Sequence, residues 1–147
     1  MMSIRRFIER VAYAFWLGEM LFFAFIFAPR VFKVLPRESA ALLQNALFPA
    51  YFKVGIVCGT LMLLLRAPVR RGVSDRVVLV LTGLALGIFV FGLLYVVPAL
   101  QARLNLEIPA EANETFRSLH RLSVGTNLLA LLALLGVAAV GRDLRRP

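Results

Sequence analysis

The sequence predicts an all-α integral membrane protein, one domain over residues 1–147, folded as a four-transmembrane-helix bundle with short interfacial helices in the outer loops. Three observations carry this. Of the 147 residues 61% are hydrophobic and only 17% are charged, whereas soluble domains hold roughly 25% charged residues. The apolar residues gather into four stretches long enough to cross a membrane, since a hydrocarbon layer of ~30 Å takes about 20 helical residues. The basic residues stand at the ends of those stretches, as they do in the short loops of membrane proteins.

The four spans are expected at about 8–29, 47–65, 77–98 and 116–140. The first has its apolar core from Val11 to Pro29. The second, from Tyr51 to Leu65, carries Lys53, but near one end, where a long side chain can snorkel to the head groups. The third, Val77 to Pro98, is 22 residues without a charge. The fourth runs from Leu122 to Val140. Between the first two, Pro36 followed by residues 37–47 reads as a short helix with proline in its first turn, stopped before Pro49 and lying along the outer interface. Residues 99–113 mix leucines with charged and polar residues around Pro109, a second interfacial segment. Asn113-Glu114-Thr115 matches a glycosylation acceptor, a pattern that matters only in a secretory pathway.

Ten basic residues fall on the side of the N-terminus and seven on the other side and its margin, so both termini are expected in the cytoplasm. The net charge of +9 is accounted for by these flanks. No basic stripe interleaved with aromatics is present, so nucleic acid is not an expected partner. One cysteine, Cys58, permits no intrachain disulfide, and one histidine, His120, excludes a multi-histidine metal site. Cys58 and Met62, four apart on one helix face, and Met20 are soft ligands in principle. They are equally ordinary apolar filler, and no metal or cofactor is expected.

Small residues mark where helices can approach, because contact in lipid depends on close backbone packing. Gly55 and Gly59 on the second span and Gly83 and Gly87 on the third have the spacing of a glycine packing face, so these two helices are expected to touch. Ala130, Ala133 and Gly136 give the fourth span a comparable seam. No repeat relates the two halves, which disfavours an inverted-repeat transporter.

Three motifs carry a family resemblance. The run from Ala28-Pro29-Arg30-Val31-Phe32-Lys33 to Arg37, then Leu47-Phe48-Pro49-Ala50-Tyr51-Phe52, then Phe116-Arg117-Ser118-Leu119-His120-Arg121-Leu122-Ser123 through Asn127-Leu128, resembles the small four-helix family of transmembrane protein 205. Most of its members are bacterial and are described only as a domain of unknown function. The resemblance implies a four-helix membrane protein without an established reaction, and a bacterial inner membrane as its location. The human relative's association with platinum-drug resistance implies a part in handling small molecules or soft metals. Glu19 is not among the matched residues.

Glu19 lies ~12 Å from one boundary of the first apolar segment and ~15 Å from the other at 1.5 Å per residue, close to the midplane. Phe15, Trp16, Phe22 and Phe23 are its neighbours one turn away. Acids at this depth mark ion or proton pathways. The alternative is a neutral carboxylic acid that donates to a backbone carbonyl or to Thr60 at similar depth, and no second midplane acid is available for a relay.

At the outer mouth, His120, Ser123 and Asn127 share one face of the fourth helix. Tyr95, Arg30 and Tyr51 reach a similar level from the other three. Together they could line a polar pocket open to the outside, or form an interhelical hydrogen-bond network. No nucleophile with a partnered base, phosphate-cradling loop or paired carboxylates is present, so an enzyme is not expected. Two functions remain: a protein that binds or moves a small molecule or ion through the outer pocket and Glu19, and a structural accessory subunit of a larger membrane complex. The lipid bilayer is the expected partner in both, with a homo-oligomer or a larger complex as the assembly.

Overall fold

A computed structural model describes residues 4–69, 72–104 and 114–143. Among the described residues the helices are α1 (Ile4–Leu21), α2 (Ala28–Val34), α3 (Arg37–Arg66), α4 (Val73–Phe91), α5 (Val97–Leu104) and α6 (Glu114–Asp143). They build four helices long and apolar enough to cross a membrane, Ile4–Val34, Glu38–Arg66, Val73–Ala102 and Arg117–Val140. The chain is thus an all-α four-helix integral membrane protein. Exposed Phe, Leu, Ile and Val side chains cover the perimeter, as they must where the solvent is hydrocarbon and every backbone polar group is satisfied within its own helix.

Two of the spans are not plain α-helices. A π-helical turn at Phe22–Phe27 joins α1 to α2, and a second at Gly92–Val96 joins α4 to α5. Each precedes a proline by two residues, Pro29 and Pro98. A proline inside a helix clashes with the carbonyl four residues earlier and has no N–H to offer it. Those carbonyls belong to Phe25 and Leu94, inside the widened turns. The Ala28 N–H bonds instead to the Phe23 carbonyl, and the Val97 N–H to that of Gly92. The wider turn relieves the clash and lets the helix continue.

Both π turns pack on one stretch of α3. Phe23 lies against Tyr51, with ring centroids 4.7 Å apart, and against Phe48 at 5.6 Å. Gly92 receives the Phe52 ring, which would overlap any Cβ placed there. One turn further in, the fully buried Trp16 meets Phe89 edge-on at 5.2 Å and sets its indole over Gly55 and Gly59. Aromatic pairs of this kind contribute about 0.5–1.5 kcal/mol each beyond area burial. The α3 helix is the hub, packing on α1 and on α4, while α6 packs chiefly on α4 and only lightly on α1.

Three expectations are corrected. Residues 37–47 are not a separate interfacial helix: α3 runs unbroken from Arg37 through Pro49. Its first turns already bury Ala40, Gln44, Asn45 and Phe48, and this continuous inner face outweighs the hydrogen bond that Pro49 removes. The glycine face exists on one side only. A Cβ at Gly59 would lie 2.8 Å from Trp16 Cζ3, whereas nothing lies within 4 Å of one at Gly83 or Gly87. The helix α4 is rotated so that Val78, Thr82, Ala85 and Phe89 point inward, and Gly87 is exposed. The aromatic side chains of the first span fill the space that a second glycine pair would have closed. Finally, residues 97–104 continue the third span as α5. Pro109 and Asn113 of the glycosylation pattern lie outside the described residues.

Candidate functional site

Polar side chains inside this apolar bundle occur at two levels. The first is around the middle of α3 and α6. Tyr51, buried on α3, donates its hydroxyl to Asn127 Oδ1 on α6 at 2.7 Å, and Asn127 Nδ2 donates to the Ser123 carbonyl at 2.9 Å. Ser123 is itself buried, and His120, one turn nearer the helix end, is half-buried. The spacing of three and four residues that puts His120, Ser123 and Asn127 on one face of α6 directs that face at Tyr51. The bond from Tyr51 joins two spans that share little other contact.

Glu19 stands where α1 faces α3. It is half-buried and lies within electrostatic reach of Tyr51 and Cys58, which are two turns apart on α3. Its Oε2 atom is buried with no hydrogen-bond partner among the described residues, and so is Nε1 of Trp16, one turn away on the same helix. Thr60, a candidate partner by depth, is exposed instead. Buried polar atoms in native proteins are almost always partnered, and in hydrocarbon the cost of leaving one alone is several kcal/mol. Two orphaned groups one turn apart therefore mark this point of the interior. Among the described residues Arg5 Nη2, Asn45 Oδ1 and Thr82 Oγ1 are buried without a hydrogen-bond partner as well.

Two of the expected pocket residues are elsewhere. Tyr95 stacks on Phe91 with centroids 5.2 Å apart and is 55% exposed, because the π turn at Gly92–Val96 rotates it to the perimeter. Arg30 is exposed in α2. The structure thus brings together Tyr51, Ser123 and Asn127, with His120 one turn from Ser123 on the same face, and leaves Tyr95 and Arg30 apart from them. Cys58 and Met62 are buried on α3 and Met20 on α1. Among the described residues no group of three or more His, Cys, Asp or Glu could hold a metal ion.

The second level, at the end of α3 that carries Arg66, was not anticipated. Arg66 at the end of α3 donates Nη1 to Glu9 Oε1 on α1 at 2.7 Å and Nη2 to Asp75 Oδ1 on α4 at 2.8 Å. One guanidinium fork thus ties three spans. The sequence signal was present but subtle: Glu9 and Asp75 are acids within otherwise basic flanks. One turn inward from Glu9, the Tyr13 hydroxyl donates to the Leu134 carbonyl of α6 at 3.0 Å.

The chain matches the profile of a family described as "Domain of unknown function (DUF4149)" over residues 11–107, which takes in the first three spans with Glu19, Tyr51 and Arg66. It is also 34% identical over 131 residues to an "Uncharacterized protein" of Aquifex aeolicus (strain VF5), covering 87% of this chain and 92% of that one. No solved structure matches. The chain belongs to the DUF4149 family, a family of helical membrane proteins whose defining domain has no assigned function.

Proposed function

We propose that the protein binds or moves a small ion, the proton included, along a polar route that enters at His120 and passes Ser123, Asn127 and Tyr51 to Glu19. The observation that carries this reading is the orphaned Glu19 carboxyl oxygen, buried within electrostatic reach of Tyr51, whose hydroxyl bonds Asn127. A mobile or exchangeable species would supply the partner that the protein does not. The route proposed opens toward the outside of a bacterial inner membrane, with both termini in the cytoplasm. The excess of basic residues at the Arg66 end supports that orientation. A cysteine introduced near Glu107 is expected to be labelled by an impermeant reagent added outside, and one at either terminus is not; the reverse pattern overturns the orientation.

The test of the route is flux. In proteoliposomes with an imposed pH or cation gradient and an internal dye, the wild-type protein is expected to dissipate the gradient faster than empty vesicles. Glu19→Gln keeps shape and hydrogen bonding but cannot exchange a proton or carry a charge, and is expected to return the rate to that of empty vesicles. Tyr51→Phe removes the hydroxyl and is expected to slow it several-fold, at a stability cost of about 1 kcal/mol. Equal rates in wild type and Glu19→Gln overturn the proposal.

A second reading, an accessory subunit of a larger complex, is favoured by one observation. Among the described residues nothing lies within 4 Å of a Cβ placed at Gly83 or at the exposed Gly87, and such faces admit a neighbouring helix. Stoichiometric co-purification of another membrane protein after mild solubilisation supports that reading. The resemblance to the transmembrane protein 205 family is compatible with both.

A further inference from the structure

Trp16 is the only tryptophan of the chain and is fully buried, with its Nε1 donor unpartnered among the described residues. That atom lies 2.5 Å from where a Cβ on Gly55 would stand. Gly55 falls between Tyr51 and Cys58 on one face of α3, four residues after the first and three before the second. Both lie within electrostatic reach of Glu19, whose Oε2 acceptor is buried and equally unpartnered. One turn apart on α1, an unsatisfied donor and an unsatisfied acceptor thus face the same two turns of α3, and no hydrogen bond joins them.

Resting on the ion route above, we propose that the ion is the proton, and that it reaches Glu19 on a water held between Trp16 Nε1 and the Glu19 carboxyl. A water accepts from the indole N–H and donates to Oε2, which gives it two polar partners in the interior. When that water carries an excess proton it passes it to the carboxylate. One O–H bond breaks on the hydrated proton, one forms on the carboxyl, and neutral water stays on the indole. A metal cation meets the opposite chemistry. The indole turns hydrogen, the positive end of its N–H dipole, toward the same two turns of α3, and hard cations take about six or more oxygen ligands. The titratable groups of α3 that face Glu19 are Tyr51 and Cys58, while Lys53 is exposed on the perimeter. The inward residues of α4 are Val78, Thr82, Ala85 and Phe89, and α6 meets α1 where Tyr13 bonds the Leu134 carbonyl. None of these adds a second carboxylate.

With a single tryptophan, the NMR spectrum of the protein in lipid nanodiscs contains one indole N–H resonance, and a cross-peak from it to water reads the contact directly. Wild type is expected to show that cross-peak although Trp16 is fully buried. Glu19→Leu keeps the indole, removes the acceptor and is expected to lose it. Absence of the cross-peak in wild type, or its persistence in Glu19→Leu, overturns the bridging water. Flux tests the ion. In proteoliposomes the wild type is expected to dissipate a pH gradient at the same rate in sodium, potassium or choline media, with sodium and potassium uptake equal to that of empty vesicles. Trp16→Phe keeps a ring against Phe89, removes the N–H and is expected to slow proton flux about tenfold, the worth of one hydrogen bond to a buried group. Wild-type flux in Trp16→Phe overturns the part given to the indole. Sodium or potassium uptake that Glu19→Gln abolishes overturns the proton and leaves the ion route standing. No flux of any ion overturns the route and with it the proton, even where the cross-peak is present.

Discussion

Gly55→Leu is expected to lower the stability of the bundle by about 3 kcal/mol or more, the upper range for overpacking a close-packed interior. Even the first added carbon would overlap the Phe89 ring and Trp16 Nε1. Neither ring can yield easily: Trp16 is fully buried, and Phe89 is held by Trp16, Tyr51 and Phe52 with centroids 5.2 to 5.3 Å away. Gly55→Ala is expected to destabilise in the same direction by a smaller amount. Gly87→Ala is the contrast. Open space surrounds its Cβ position, and alanine is the better helix former by up to about 1 kcal/mol, so this variant is expected to be neutral or slightly more stable. Thermal unfolding in one detergent compares the three. Equal midpoints for Gly55→Leu and Gly87→Ala would mean that the Trp16 wedge does not hold α1 against α3.

Arg66→Met is expected to cost about 2–3 kcal/mol. Removing the shared cation from a partly buried charge network takes one donor from each of two carboxylates, Glu9 and Asp75. The side chains of Arg66, Glu9 and Asp75 are 20%, 16% and 13% exposed, so water softens the penalty below that of a fully buried pair. Arg66→Lys is expected to recover less than half of the loss, because an ammonium cannot present the two parallel donors of the fork. The triple variant Arg66→Met, Glu9→Gln, Asp75→Asn is expected to regain part of the stability lost in Arg66→Met, since the two acids that share its guanidinium are neutral in it. Unfolding midpoints that show Arg66→Met as stable as wild type would reduce the three-helix tie to a surface pair.

Only part of the polar interior was readable in advance. The spacing of His120, Ser123 and Asn127 placed them on one face, and Tyr51 at the matching level, because helical periodicity is a local property of the chain. The misplacement of Tyr95 has a definite cause. A π turn adds a residue to the helical repeat and shifts the face of everything inside it, and Pro98, two residues past that turn, was the available signal. Pro29 plays the same part after Phe22–Phe27. The tie between Arg66, Glu9 and Asp75 escaped because counting basic residues for orientation treats each end as a sum, whereas an ion pair depends on which helices are neighbours.

What the sequence by itself determined is the helical class and the number of spans. Hydropathy summed over about 20 residues is a property of each segment alone, and a helix in lipid satisfies its own backbone. The tertiary structure decided the rotation of each helix about its axis. With apolar residues on all sides, hydropathy does not distinguish the inward face from the lipid face, and packing in a membrane rests on close fit. Trp16 over Gly55 and Gly59 sets the rotation of α1, and Phe89 against Trp16 sets that of α4. Those two contacts turn Gly87 outward and set the side of α1 that carries Trp16 against α3, an outcome that depends on the volumes of side chains meeting across helices far apart in the chain.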